Sequence, residues 1–332
     1  MKGMKSFEFP YGTGTQSLVL DEQHIQYHFT STQTKETAHE EEAIRYSLRH
    51  PIDSRPLVDC VKPGGTVVII VSDMTRAVHT DRMLRAIVAE LEEAGVADDQ
   101  ITVLVALGTH RQQTEEETAA VCGRDMMQRL NIVQHDCHDE NQLVSVGTTS
   151  YGNDVKLNRL AVEADTVILT GAVSFHDMAG FGGGRKAVLP GIAGYDTIMT
   201  NHALALNPVC PYGMDSRCDA GKLSDNPIHC DMMEGAAFLK PAFLVNLVLT
   251  AEGKLHDVVS GDWQTAWQEG CRHLLALDGV PIEHLSDVVI GSAGGTSQRY
   301  QFVSGNQGSY ECRFCCKAGR YPDSGHGLPR YV

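Results

Sequence analysis

Two histidines and a lysine lie close together along the chain, in the glycine-rich stretch from Ser174 to His202. His176 follows the apolar run Thr166–Val173, which predicts a buried strand, and Lys186 follows four glycines. These glycines are Gly180, Gly182, Gly183 and Gly184. Glycine allows positive φ and lets the backbone approach a ligand closely. A strand end, a glycine loop and a helix start are together typical of a site for a phosphate or another anion.

The residues of this stretch leave several kinds of chemistry open. A lysine beside glycines most often only holds a phosphate, and a histidine near a strand end is usually structural. The Walker A pattern is excluded, because Ala187 stands where a Ser or Thr must bind magnesium. Lys186 could also form a Schiff base with a ketoacid substrate.

Two other segments carry polar side chains that could act together with this stretch. The first consists of Asp73, Met74, Thr75 and Arg76. The second contains His110 within the sequence Gly-Thr-His-Arg. Guanidinium pairs with a carboxylate through two hydrogen bonds, and imidazole exchanges protons near neutral pH. The more ordinary alternatives are a helix-capping aspartate beside a surface arginine, and a loop histidine.

The three segments each follow a predicted strand. Strands are predicted over Thr66–Val71, Ile101–Leu107 and Thr166–Val173, with a helix over Asp81–Ala94 and a later strand over Asp287–Ser292. This alternation predicts an α/β fold whose mainly parallel sheet is flanked by helices. Ligands bind outside the carboxyl ends of the strands in such sheets, so we expect the three segments to converge on one site.

The segments also resemble those of a known family, the nickel-pincer-nucleotide-dependent lactate racemases. That family carries FHxxAG(F/Y)xGGxK followed by PGxAGxxTIxxxH, which Phe175 to His202 matches closely. Its DxxR and GTHR segments match residues 73–76 and 108–111. The resemblance extends over about Phe7 to Gly295.

This resemblance implies a role for each candidate residue. Lys186 would be joined covalently, as a thioamide, to the nickel-pincer nucleotide (nickel pyridinium-3,5-bisthiocarboxylic acid mononucleotide). His202 would bind the nickel, and His110 and His176 would be the acid/base pair. Residues 73–76 would contact the cofactor, and the arginine among them would also hold the substrate carboxylate.

The implied reaction is the racemisation or epimerisation of a lactate-like 2-hydroxy acid. The α-hydrogen is not acidic enough for histidine to remove as a proton, and the family is thought to move it as a hydride to the cofactor and back. One histidine takes the hydroxyl proton and the other serves the mirror-image substrate. Three alternatives stay open: a protein that binds nucleotide or metal without turnover, a Schiff-base enzyme and the non-functional product of a broken gene.

Length and composition describe an ordinary globular protein. The chain has 332 residues, of which 42% are apolar and 21% charged, and a net charge of −15. This charge argues against nucleic acid or an anionic membrane surface as a partner. Without a signal peptide or an apolar run of roughly 18 residues, we expect a cytoplasmic protein. Its expected partners are a small 2-hydroxy acid and the enzymes that make the cofactor, and most of its ten cysteines are expected to be free thiols.

The end of the sequence departs from the family pattern. We predict an N-terminal catalytic and cofactor-binding domain over 1–278, the start of a second domain over 279–296 and an out-of-frame tail over 297–332. The family continues with (Y/T)PKDxNLYQxxK, which Thr296–Val303 does not match.

The tail also differs in charge from the rest of the chain. It holds five basic and two acidic residues, a net +3, against −18 for the remainder. One codon choice for Ser297–Ser324, read one nucleotide later, gives PKDINLYQGTKALMNAGFAVKPGGILIL. The family's Gln and Lys would then be missing, and we expect weak or absent racemase activity. The alternative is a divergent C-terminus.

Overall fold

The computed structural model describes residues 3–11, 13–29, 39–76, 78–209 and 213–291. They form two units, of which Gln33–Leu274 is the larger. The smaller contains the described residues of Met1–Thr32 and those from Leu275 onward. The predicted out-of-frame tail, 297–332, lies outside the described residues, as do residues 292–296, and the domain boundaries at 278 and 296 stay predictions.

The strands and helices have the following bounds. The strands are β1 Met4–Tyr11, β2 Gly14–Asp21, β3 Val67–Ser72, β4 Ile101–Ala106, β5 Asn131–Gln134, β6 Leu143–Thr148, β7 Asp154–Asn158, β8 Thr166–Val173, β9 Phe175–His176, β10 Gly180–Phe181, β11 Phe243–Leu249 and β12 Leu255–Gly261. The helices are α1 Glu40–Arg49, α2 Leu57–Cys60, α3 Thr80–Glu93, α4 Glu115–Cys122, α5 Arg124–Arg129, α6 Arg159–Glu163, α7 Tyr195–Ala203, α8 Pro227–Leu239 and α9 Thr265–Asp278.

A six-stranded sheet lies at the centre of the larger unit. Its strand order is β12-β11-β8-β3-β4-β5, and all neighbours are parallel except the edge strand β12, which is antiparallel to β11. The sequences VVIIVS of β3 and TVILTGAV of β8 are almost continuously buried. Such apolar runs are typical of parallel strands covered on both faces by helices. The predicted α/β fold with a mainly parallel sheet is therefore confirmed.

Helix α3 shows how the sequence builds the layer that covers this sheet. Leu84, Ile87 and Leu91 share one face of the helix, are fully buried and belong to the same core as β3 and β4. Burial of each such side chain stabilises the fold by about 1.5–3 kcal/mol. Gly95 follows the helix with φ +78°, and the amide of Val96 donates to the Leu91 carbonyl, so the chain leaves the helix in a glycine-dependent turn.

The smaller unit is described by local contacts only. Strands β1 and β2 form an antiparallel hairpin, as the alternation of apolar and polar residues predicts. The predicted strand at Asp287–Ser292 is wrong for its described part, because residues 287–291 form no strand. Val288 is 73% exposed and Ile290 48% exposed, so this apolar run lacks the packing that a strand requires.

Two further findings concern expectations from composition. Among the described residues, no helix combines the length and apolar character needed to cross a membrane. All six cysteines of the described part are free thiols, as predicted, and four of them are buried. They are Cys60, Cys122, Cys137, Cys218, Cys230 and Cys271.

Candidate active site

The three polar segments leave the sheet side by side. Strands β8, β3 and β4 are parallel neighbours, and they end at Val173, Ser72 and Ala106. The chain runs from β3 to β4 and β5 on one side, and then crosses to β8 on the other side. This is a topological switch point, where loops diverge and leave a crevice for ligands. The convergence predicted from the sequence is therefore present.

Asp73 and His110 connect two of these loops directly. His110 Nδ1 and Asp73 Oδ2 form a hydrogen bond, and the other oxygen, Oδ1, accepts from the Thr75 amide at 3.0 Å and from its hydroxyl at 2.6 Å. Although burial raises it, the hydrogen bonds from His110 and Thr75 hold the pKa of Asp73 below its ordinary value. The carboxylate is thus a fixed acceptor that orients the half-exposed imidazole.

Gln113, which no sequence pattern singled out, also holds residues 73–76 in place. The amide of Met74 donates to Gln113 Oε1 at 2.5 Å, and the backbone amide of Gln113 donates to Gln134 Oε1 at 2.7 Å. Gln113 Nε2 is buried without a hydrogen-bond partner. Arg76 is exposed, and no ion pair joins it to an acidic side chain of the described part.

His176 lies in the two-residue strand β9, which pairs with β10 so that His176 faces Gly180. Its Nδ1 accepts hydrogen bonds from the backbone amides of Met178, at 3.2 Å, and Ala179, at 3.1 Å. Burial and the nearby positive charges, first among them Lys186, hold the pKa of His176 well below its ordinary value. The imidazole is therefore neutral at neutral pH.

Lys186 lies in a short 3-10 helical turn, Gly184–Ala187, after the glycines. Burial lowers the pKa of Lys186 to about 7, and the charges of Arg76 and Arg185 contribute in the same direction, while Asp177 opposes them. A large fraction of this amine is consequently unprotonated and nucleophilic near neutral pH.

The glycines of the loop are required by contacts within the protein. Gly183 and Gly184 have φ of +71° and +53°, and a Cβ on them would lie 2.6 Å from Asn246 and 2.6 Å from Trp267, respectively. Asn246 Oδ1 also accepts from the Gly184 amide at 2.8 Å, and Trp267 Nε1 donates to the Gly182 carbonyl at 2.8 Å. The positive φ expected here is present, but the close approach is to the protein's own side chains.

Arg185 fixes the same loop from inside. It is fully buried, and it donates to the carbonyls of Phe181 at 2.7 Å and Ala179 at 2.8 Å. Its guanidinium lies 4.0 Å from the Trp267 ring centroid, in a cation–π contact. Burial lowers the pKa of Arg185 to about 9. No sequence pattern singled out this residue, although its position next to Lys186 was a visible signal.

His202 lies near the end of α7, and its ring is oriented by its own helix. Its Nδ1 donates to the Ile198 carbonyl at 2.8 Å, which leaves Nε2 unprotonated, and burial lowers the pKa of His202. The neighbouring Asn201 donates to the buried carboxylate of Asp231 at 2.8 Å, which ties α7 to α8. A histidine whose second nitrogen is bonded to a carbonyl is well prepared to bind a metal.

All of the predicted site residues thus lie in one region. His110 contacts Asp73 directly, and the charges of Arg76, Lys186 and His202 all act on His176. Arg76 and Arg185, together with Lys186 when it is protonated, bring positive charge to this region, which suits an anionic ligand. Within the described part of the chain, no three His, Cys, Asp or Glu side chains cluster as a metal site of their own.

Sequence comparison relates the chain to one family. The family described as "Lactate racemase N-terminal domain" matches residues 11–210. A lactate racemase from Lactiplantibacillus plantarum is 34% identical over 309 residues, which cover 91% of this chain and 70% of that protein. A lactate racemase from Thermoanaerobacterium thermosaccharolyticum is 31% identical over 320 residues, which cover 95% of this chain and 73% of that protein.

Solved structures give the same relationship. The lactate racemase apoprotein from Thermoanaerobacterium thermosaccharolyticum is similar with a TM-score of 0.84 and 30% identity, over 94% of this chain and 72% of that one. A protein from Thermotoga maritima is similar with a TM-score of 0.56 and 22% identity, over 74% of this chain and 61% of that one. The second similarity concerns the fold alone.

Proposed function

The chain belongs to the lactate racemase family, and we propose that it racemises or epimerises a lactate-like 2-hydroxy acid at the site described above. One observation carries the proposal: His110 is hydrogen-bonded to Asp73, and the charge of Arg76, in the same turn as Asp73, acts on His176. Inversion at the α-carbon passes through a planar ketoacid, and it needs an acid/base group for each face. A single histidine would serve only one of the two enantiomers.

Arg76 is the residue that we propose for the substrate carboxylate. The residue is exposed and has no ion pair with an acidic side chain of the described part, so its guanidinium can form a bidentate pair with a carboxylate. Its backbone amide donates to the Asp73 carbonyl at 3.1 Å, within the turn that also orients His110. Substrate anchoring and proton transfer are in this way combined in one turn of the chain.

The nickel-pincer nucleotide is the cofactor that we propose, and the residues present fit it. Covalent attachment requires an unprotonated amine, and burial lowers the pKa of Lys186 to about 7. The unprotonated Nε2 of His202 suits a metal ligand, and Arg76 and Arg185 add the positive charge that an anionic nucleotide needs. Asp73, Met74, Thr75 and Arg76 form the turn that would contact the cofactor. When bound, this group supplies a hydride acceptor for the substrate's α-hydrogen.

The two histidines then move the hydroxyl proton. The imidazole that faces the hydroxyl accepts its proton as the carbonyl forms, and the imidazole on the opposite face serves the other enantiomer. The side chain of His110 is about half exposed and can exchange its proton with water, whereas His176 is mostly buried. We therefore expect proton exchange with solvent to proceed through His110.

The test is to produce the chain together with the cofactor-synthesis enzymes and nickel, and to incubate it with D-lactate or L-lactate. Chiral chromatography measures the second enantiomer, and native mass spectrometry measures the covalent adduct. We expect the adduct and only slow formation of the second enantiomer, because residues 296–303 do not match the family segment that carries the Gln and Lys. We expect neither from the Lys186→Ala variant. An adduct without any racemisation of 2-hydroxy acids would contradict the proposed activity and favour a protein that binds the cofactor without turnover.

A further inference from the structure

The Nδ1 atoms of His110 and His176 have opposite hydrogen-bond partners. A neutral imidazole carries one proton, so one ring nitrogen is a donor and the other an acceptor. The partner of Nδ1 therefore decides whether Nε2 carries the proton. The structure gives this partner for both histidines.

His110 has an acceptor at Nδ1. The Asp73 carboxylate can only accept here, since His110 and Thr75 keep it ionised and the pKa of Asp73 lies below its ordinary value. His110 Nδ1 must then carry the proton, and Nε2 has a free lone pair. This is the arrangement of a histidine that serves as a base.

His176 has two donors at Nδ1, the backbone amides of Met178 and Ala179. These amides are fixed by the chain and cannot turn away, so Nδ1 holds the lone pair and Nε2 holds the proton. Asp177 Oδ1 lies 3.2 Å from the same nitrogen and would favour the other tautomer. A carboxylate on a rotatable side chain can move, however, whereas two backbone amides cannot, and we therefore give the amides more weight.

We propose, on the basis of the function proposed above, that the resting site holds its two histidines in opposite tautomers, with Nε2 unprotonated in His110 and protonated in His176. A substrate hydroxyl can then donate its hydrogen bond to His110 Nε2, while an oxygen of the same substrate accepts one from His176 Nε2. Such a pair orients the substrate before any proton moves. For His176 to accept a proton at Nε2, its ring must first leave the two amides, so that Nδ1 can carry the other proton and donate it to the adjacent Asp177.

The test is nitrogen NMR on the cofactor-free protein labelled with ¹⁵N-histidine, at about pH 8, where imidazole is ordinarily neutral. Long-range proton–nitrogen correlations identify the protonated ring nitrogen of each histidine. The signals are assigned with His110→Gln and His176→Gln. If the latter variant does not fold, contacts between the His176 ring and the amide protons of Met178 and Ala179 give the same assignment.

We expect a protonated Nδ1 in His110 and a protonated Nε2 in His176. The same tautomer in both histidines, or a protonated Nδ1 in His176, would overturn the proposal. Two variants separate the causes. Asp73→Ala should release His110 into a mixture of tautomers and leave His176 unchanged. Asp177→Asn should leave both unchanged, and a change of tautomer at His176 would show that the carboxylate, and not the backbone, decides its state.

The measurement needs neither cofactor nor substrate. A protein with the expected tautomers but no racemase activity would contradict the proposed function and leave the tautomer assignment intact. Racemase activity in a protein whose two histidines have the same tautomer would overturn the tautomer assignment and leave the proposed function intact.

Discussion

Trp267 Nε1 donates a hydrogen bond of 2.8 Å to the carbonyl of Gly182, so a side chain of α9 holds the loop that carries Lys186. The same indole also stacks on the Arg185 guanidinium. The attachment point proposed for the cofactor therefore depends on a tryptophan far along the chain.

Replacing this tryptophan by phenylalanine should loosen the loop. Trp267→Phe keeps an aromatic ring but leaves the Gly182 carbonyl without its donor, and a buried unsatisfied polar group costs about 1–3 kcal/mol. Urea denaturation should show a free energy of unfolding lower by that amount. Trp263→Phe, the same change at the other tryptophan, is the control. Equal losses in both variants would mean that the hydrogen bond contributes nothing specific.

Gly183 should tolerate a methyl group much less well than a glycine of similar backbone conformation. Gly183 has φ +71° and would place a Cβ 2.6 Å from Asn246 Oδ1, whereas Gly64 has φ +69° and nothing within 4 Å. Gly64→Ala should cost only the left-handed backbone, about 1–2 kcal/mol. Gly183→Ala should cost about 1–3 kcal/mol more, because it also overpacks the loop. Thermal or urea unfolding of the pair measures the difference, which should vanish if the loop is open at Gly183.

The amine of Lys186 should react at unusually low pH. Burial lowers the pKa of Lys186 to about 7, so the reactive neutral form increases as the pH rises through about 7. Labelling with acetic anhydride over a pH series, read by peptide mass spectrometry, should give a midpoint there, far below the value near 10.4 of an ordinary lysine.

The variant Arg76→Gln tests how far the charge of Arg76 contributes to the low pKa of Lys186. Arg76 lowers the pKa of Lys186 through its positive charge, so Arg76→Gln should raise it and move the labelling midpoint to higher pH. Reactivity at pH 7 should fall accordingly. A midpoint close to that of ordinary lysines in the unsubstituted protein would contradict the buried, cation-rich surroundings of this amine.

His202→Ala should separate nickel retention from cofactor attachment. The helix holds the ring with Nε2 unprotonated, and the proposed covalent link is made by Lys186 instead. In protein produced with the cofactor-synthesis enzymes, we expect an unchanged covalent mass increase and a strongly reduced nickel content by elemental analysis. His256→Ala, on β12, should change neither quantity. Full nickel retention in His202→Ala would exclude this histidine as an essential ligand.

Local patterns were enough to predict much of the fold. The run Thr166–Val173 coincides with β8, because a continuously apolar segment of this length has few other stable environments. Thr114 and Glu117 form a capping box at the start of α4, which the spacing Thr-x-x-Glu ahead of a helix indicates. The three polar segments then lie side by side, because they follow the carboxyl ends of the neighbouring strands β8, β3 and β4.

Contacts between distant residues could not be predicted in this way. Asn246 interrupts the apolar sequence FLVNLVL of β11, which was a signal, but its partner Gly184 is 62 residues away. The Arg185 guanidinium packs on the Trp267 ring, and the side-chain oxygen of Gln113 accepts from the amide of Met74 on another loop. No periodicity encodes such pairs, because they arise only when the sheet brings separate segments together.

The supports of the glycine loop also determine when this loop can form during protein synthesis. Asn246 follows Gly184 by 62 residues, and Trp267 follows Gly182 by 85 residues. When the ribosome has just added Lys186, neither Asn246 nor Trp267 has been synthesised. The loop lacks both contacts until the chain has been translated as far as Trp267, the third residue of α9. Attachment of the proposed cofactor to the folded loop would consequently take place late in translation or after the chain has been released.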